Sequence, residues 1–401
     1  MGQRFVRDSI TWLCYLLLGY YAYLMDILGP VTPYLRDELH ASYTLASLHF
    51  SAFAVGMLGA GLVAERVLRR FGPLATIWWG SAGMGTAALG LALGQSPWVT
   101  IGAALAMGFL GSLTLTTIPG LLSARYGEQR AIALTELNVA GSLAGMAAPF
   151  AVGMLARSAW GWRAAVFAAP VLLLGLWLGL RGKTQGGAAL PAQSAAVRRK
   201  LPGAFWLAWV LIFLVVSVEF CMVYWGANFM EQVVGLKRAD AALTGTLYLG
   251  AMLLGRWLGS RMLRWAAPRW MFLGSLAVAA AGFGLFIGGT AVPALMGFFL
   301  TGLGVANLYP LALSSALAAA GEAADQGSAR ATLASGTAIL GLPLLLGALA
   351  DALDLRTAFW LVPLLLCTAL GLFAYIQRQN HPRPSLEGVK LGAGSRADSR
   401  N

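Results

Sequence analysis

Three carboxylates stand inside long apolar runs of this 401-residue chain. Asp26 lies in YYAYLMDILGP, Glu136 in ALTELNVAG and Glu219 in VVSVEFCMVYWGAN. A carboxylate at the centre of a bilayer costs roughly 2.5–3.5 kcal/mol on insertion scales, so an acid retained there marks a candidate functional site. Each can take up and release a proton, or hold a monovalent cation, if it is exposed alternately to two sides. Pro30 follows Asp26 by four residues and leaves the Asp26 carbonyl without its usual helical donor, which loosens the chain beside the acid. Glu136 is near Arg130, and pairing with a basic residue there competes evenly with a coupling role. Glu219 has no basic neighbour in its own run. It can pair with Arg256, the basic residue that falls inside an apolar run, and a structural pair competes evenly with coupling.

Polar aromatics and amides accompany these acids. Tyr23 precedes Asp26, while Tyr224, Trp225 and Asn228 follow Glu219, with Tyr224 and Asn228 on one helix face. Rings stack on apolar faces while Asn and Tyr hydrogen-bond hydroxyls, so these are candidate ligands of a sugar-like solute. Interface belting is the alternative for such tyrosines. Asn307 lies deep in another run and reads as pore-facing, with an interhelical hydrogen bond as its alternative. The three cysteines share no CxxC spacing, and three histidines build no metal cluster. No P-loop, Ser-His-Asp set or HExxH occurs, so neither an enzyme nor a bound cofactor is expected.

The elements that must position these residues are membrane helices. Hydrophobic residues make up 58% of the chain and charged ones 11%, against about 25% in a soluble domain. Mean hydropathy is +0.71. A span needs about 20 mostly apolar residues, and twelve runs qualify: roughly 10–35, 43–64, 73–94, 98–123, 130–156, 164–181, 204–230, 241–263, 269–288, 291–320, 328–350 and 357–378. With both termini placed in the cytoplasm, most Lys and Arg residues fall on that side, among them Arg66, Arg69, Arg70, Arg125, Arg130, Arg198, Arg199, Arg261 and Arg264. The other side holds Arg36, Arg157, Arg163, Lys237, Arg238 and Arg356. This is the positive-inside asymmetry. It also accounts for the net charge of +12 without a nucleic-acid partner.

The chain repeats itself. Arg66-Val-Leu-Arg69 … Pro73 matches Arg261-Met-Leu-Arg264 … Pro268 at an offset of 195 residues. Arg163, Ala165 and Pro170 match Arg356, Ala358 and Pro363 at an offset of 193. The expected fold is all-α, twelve transmembrane helices in two pseudo-symmetric six-helix bundles. Residues 1–181 and 204–379 form the halves, 182–203 a cytoplasmic linker, and 380–401 a disordered cytoplasmic tail. Parallel repeats of this kind place a solute site between the halves near mid-membrane.

Gly61-Leu-Val-Ala-Glu65-Arg66-Val-Leu-Arg69-Arg70 resembles the signature loop of the major facilitator superfamily, G-x-x-x-D-[RK]-x-G-R-[RK]. Glu65 stands for the family's Asp, and Leu68 for its Gly. Gly255-Arg256 … Gly259-Ser-Arg261 looks like a weaker echo in the second half. The resemblance implies a transporter in which Gly61, Glu65, Arg66, Arg69, Arg70, Arg256 and Arg261 form a conformational latch. Gly302-Leu-Gly-Val-Ala-Asn307-Leu-Tyr-Pro310, with Asp26 and its following Gly29-Pro30, resembles the fucose permease-like branch. Drug/proton antiporters typically carry an Arg in span four, and none lies between Val99 and Ala124.

The expectation is a secondary active transporter working by alternating access, with proton or monovalent-cation coupled symport of a small polar organic solute such as a sugar. The alternative is an antiporter exporting drugs or other amphipathic, lipid-like compounds. The chain is expected as a monomer in a bacterial inner membrane, with both termini cytoplasmic.

Overall fold

A computed structural model describes residues 6–180 and 200–380. Most of the expected linker, and all of the expected tail beyond Asn380, lie outside the described residues. Those described are helical, with no strand among them. The helices are α1 (Ser9–Asp26), α2 (Leu28–Glu38), α3 (Tyr43–Phe71), α4 (Pro73–Leu93), α5 (Pro97–Tyr126), α6 (Arg130–Leu155), α7 (Arg163–Leu180), α8 (Gly203–Gln232), α9 (Arg238–Met262), α10 (Pro268–Phe286), α11 (Ala291–Val305), α12 (Leu308–Ala320), α13 (Ala324–Ala352), α14 (Leu355–Ala358) and α15 (Leu361–Asn380).

Their ends follow from local chemistry. Asp8 caps α1 by accepting from the Thr11 amide at 2.9 Å, and Ser42 caps α3 by accepting from Leu45 at 3.1 Å. Pro73, Pro97 and Pro268 open α4, α5 and α10, where a missing N–H costs nothing. Three expected spans are broken: at Ile27, at Ala306-Asn307 and at Phe359-Trp360. Pro30, Pro310 and Pro363 follow these breaks closely, and each withholds a donor from the carbonyl four residues earlier.

Among the described residues, nine stretches are long and apolar enough to cross a membrane. Some hold two helices; Pro97–Leu155 contains both α5 and α6. Helices α4 and α9 fall outside the nine, because α4 is diluted by Gly, Ser and Thr and α9 carries Arg238, Asp240, Arg256 and Arg261. Large apolar side chains such as Leu62, Leu172 and Leu364 face outward, and Trp98, Trp160, Trp265 and Trp270 are exposed near helix ends. That exterior suits a multi-pass protein embedded in lipid.

One set of helix partnerships occurs twice. Helix α1 packs on α6, and α3 and α4 on α5; correspondingly α8 packs on α13, and α9 and α10 on α11. Gly127 and Gly321, 194 residues apart, both take positive φ (51° and 55°) and each starts a three-residue 3₁₀ turn into the next helix. A left-handed backbone suits Gly because it has no Cβ. Between α1–α7 and α8–α15, packing runs mainly through α3 with α13, α6 with α9 and α2 with α8.

Candidate functional site

The break at Ile27 leaves Asp26 on the last turn of α1, facing α6, α8 and α9. There a cavity of about 240 Å³ opens between the two sets of helices. Asp26, Glu219 and Arg256 line it, with Asn138 and Ser142 of α6. Tyr21, Met25, Phe220 and Met252 supply apolar walls. The Asp26 carboxylate packs directly on Gly145 of α6. Asp26 also borders a void of about 10 Å³ shared with Pro30, Pro149 and Tyr248. Glu219 and Arg256 approach to 3.7 Å, an ion pair too long for a hydrogen bond, with side chains 16% and 41% exposed. The Arg256 side chain thus borders the cavity without a hydrogen bond to Glu219.

One end of this cavity is closed by links between the two sets of helices. Asp351 of α13 accepts from the Tyr43 and Thr44 amides of α3 at 2.8 and 2.7 Å. Ion pairs join Asp37 to Arg238 and Arg157 to Asp240. Phe50 stacks on Tyr224 with ring centroids 4.1 Å apart, and the Ser51 hydroxyl donates to the Leu340 carbonyl at 2.7 Å. These contacts are built at the α2–α3, α6–α7 and α8–α9 end of the molecule.

The residues expected to bind solute are placed elsewhere. Tyr224 belongs to the buried stack with Phe50, and the Trp225 indole donates to the Pro343 carbonyl at 3.0 Å. Asn228 accepts from Arg36 at 3.5 Å. Tyr23 donates to the Ala165 carbonyl at 2.8 Å. It borders a separate apolar groove of about 950 Å³ between α1, α6 and α7. The Asn307 amide donates to the Gly255 carbonyl at 2.9 Å, bridging the α11–α12 break to α9. Glu136 is away from the cavity, accepting from Arg7 at 2.8 Å and Tyr15 at 3.1 Å. Of the latch residues, Gly61, Glu65, Arg66, Arg69 and Arg70 lie on the last turns of α3, where Glu65 pairs with Arg69 at 3.3 Å. Arg261 sits over the Trp257 ring at 4.6 Å, whereas Arg256 is on the cavity.

Two residues with cavity positions carry only a weak signal in the sequence. Asn138 and Ser142 sit four apart on α6, on the face that carries Gly141 and Gly145. Their spacing on a glycine-lined face was the available signal. Asp351 carried only the signal of an acid at a span end, and its target lies about 300 positions away.

The family model described as Major Facilitator Superfamily matches residues 11–341. The "Uncharacterized transporter y4wD" of Sinorhizobium fredii is 30% identical over 233 residues, covering 54% of this chain and 60% of that protein. A second curated relative is matched over 41% of its length, so the chain spans about half the length of the curated relatives it matches. A bacterial homolog of the human lysosomal transporter Spinster, in an inward-facing and occupied conformation, superposes with a TM-score of 0.75 at 14% identity, covering 96% of this chain and 100% of that one. A D-xylose-proton symporter superposes with a TM-score of 0.72 at 15% identity, over 91% and 96% of the two chains. At such identity these two likenesses concern the fold.

Proposed function

The chain belongs to the Major Facilitator Superfamily, and from that premise we propose that it is a proton- or cation-coupled secondary transporter of a small polar organic solute. The carrying observation is that Asp26, Glu219 and Arg256 converge from α1, α8 and α9 on one cavity, while Asp351 and the Phe50–Tyr224 stack join the two sets of helices at one end of the molecule. Such a cavity can expose the acids to one side at a time, which coupling by alternating access requires. Its volume of about 240 Å³ lies below the roughly 300–1,000 Å³ of drug-sized pockets, which favours a small solute.

In this reading residues 1–181 and 204–379 are two six-helix halves joined by 182–203, giving twelve crossings. The recurring helix partnerships support that division. The termini are cytoplasmic in a bacterial inner membrane, the protein works as a monomer, and the described state opens inward. Asp26 and Glu219 carry the coupling ion. A place in the fucose permease-like branch rests on Asp26 and the Asn307 segment. A sugar as solute draws no support from Tyr23, Tyr224, Trp225, Asn228 or Asn307, none of which borders the cavity, so the solute is proposed only as small and polar. The last turns of α3 act as the cytoplasmic latch.

Uptake of a solute panel into proteoliposomes under an imposed proton or sodium gradient tests the reading. Gradient-driven accumulation that survives both Asp26→Asn and Glu219→Gln would refute the coupling assignment.

A second reading is export of amphipathic compounds by antiport. The groove of about 950 Å³ between α1, α6 and α7 favours it, with the Arg7–Glu136 pair near one end of apolar walls. Stabilisation of the purified protein by cationic dyes and not by polar solutes would select this reading.

A further inference from the structure

We propose that the cavity takes a small organic anion, held at Arg256, and that its binding is linked to protonation of Glu219. This rests on the transporter reading and names its substrate class. Arg256 is the starting point. A guanidinium stays charged at any working pH, so it needs a negative partner wherever it leaves water. Here the nearest such partner is Glu219, at 3.7 Å, with the Asp26 carboxylate on the same cavity, and no hydrogen bond to Arg256 is formed among the described residues. The contact is therefore a loose ion pair, and the planar fork of donors belongs to a side chain that lines the cavity. A carboxylate entering the cavity can take that fork with two short charge-assisted bonds, which Glu219 does not make.

The charges then set the linkage. The titratable and charged groups near enough to Glu219 to interact with it electrostatically are Arg256 and Tyr248 of α9, Asp26 of α1, Tyr309 of α12 and Tyr224 of its own helix. Arg256 is the cation among them. With Glu219 ionised, a second anion at Arg256 meets two carboxylates. With Glu219 protonated, Arg256 loses its nearest partner and an incoming anion replaces it. Anion binding and proton binding therefore favour each other, by the same factor in either order. One anion and one proton enter together, the proton residing on a Glu219 oxygen, so the loaded and empty cavities carry the same net charge. Phe220, Met25 and Met252 border the cavity and suit an apolar body on the anion.

The test compares three probes of like shape and different charge on the full-length purified protein. Benzoate is the anion, benzamide the neutral probe and benzamidine the cation. Benzoate is expected to raise the Tm, more at acidic than at alkaline pH, while benzamide and benzamidine leave it unchanged. Arg256→Gln is expected to weaken benzoate binding about tenfold or more, and Arg256→Lys to weaken it less. Glu219→Gln is expected to keep benzoate binding and remove its pH dependence. Equal binding of all three probes, or of none, overturns the proposal. So does undiminished benzoate binding in an Arg256→Gln protein with a wild-type gel-filtration profile. Gradient-driven uptake of a neutral solute alone overturns the anion while leaving the transporter reading intact. Arg256-dependent benzoate binding without gradient-driven accumulation of any solute does the reverse.

Discussion

Asp351 caps a helix that begins about 300 residues before it: its carboxylate accepts from the Thr44 amide at 2.7 Å, and from the neighbouring Tyr43 amide at 2.8 Å. An anion at a helix N-terminus is favoured by unpaired N–H groups and by the helix dipole. This bond joins α13 to α3 at the closed end, so opening that end must break it.

Asp351→Ala is expected to shift the protein toward the state open at that end. The site is exposed, so about 1 kcal/mol, or roughly a fivefold change in population, is the scale. The measurement is the labelling rate of a cysteine placed at Ser142 by a membrane-impermeant maleimide applied on the side that the closed end faces. An unchanged rate would leave the cap with no gating role.

Gly145 leaves room for the Asp26 carboxylate against α6. The methyl of Gly145→Ala meets that carboxylate and must displace it. Gradient-driven accumulation is expected to fall toward the Asp26→Asn level, although the acid is still present. Overpacking of this kind costs about 1–3 kcal/mol, so Tm is measured alongside. Normal accumulation in a stable Gly145→Ala protein would show that this packing does not position Asp26.

Asn307 ties the α11–α12 break to α9 through the Gly255 carbonyl. Losing one such buried bond costs about 0.5–1.5 kcal/mol. Asn307→Ala is expected to lower the Tm and leave the KM for solute near wild type. A tenfold rise in KM at unchanged Tm would instead put Asn307 in contact with solute.

Asp8 gives a pH dependence. Burial alone pushes its carboxyl up, but hydrogen bonds from Thr11 and the Arg125 partner outweigh that and hold it below the ordinary value. A group lowered on folding stabilises the protein above its unfolded pKa, about 3.9 for Asp, and loses that contribution as pH falls through the folded value. The Tm difference between wild type and Asp8→Asn is expected to be level at neutral pH and to shrink below about pH 4. A difference that persists well into more acidic solution would count against the ionised carboxylate.

The helices, the internal repeat and the three cavity charges were legible in the chain itself. Apolar runs near 20 residues, and a charge inside one of them, are local facts that no partner helix can change. Hence Asp26, Glu136, Glu219 and Arg256 could be singled out before their positions were known, but not that Glu136 pairs with Arg7 away from the cavity. Tertiary structure decided which face each helix turns inward. Tyr224 and Trp225 pack at the closed end, and Asn307 turns to α9, because period 3.6 defines a face without saying which neighbour it meets. It also decided that one end is shut, since α3 and α13 meet only after the two sets of helices dock, and the contacts of Asp351 with Tyr43 and Thr44 have no local signature.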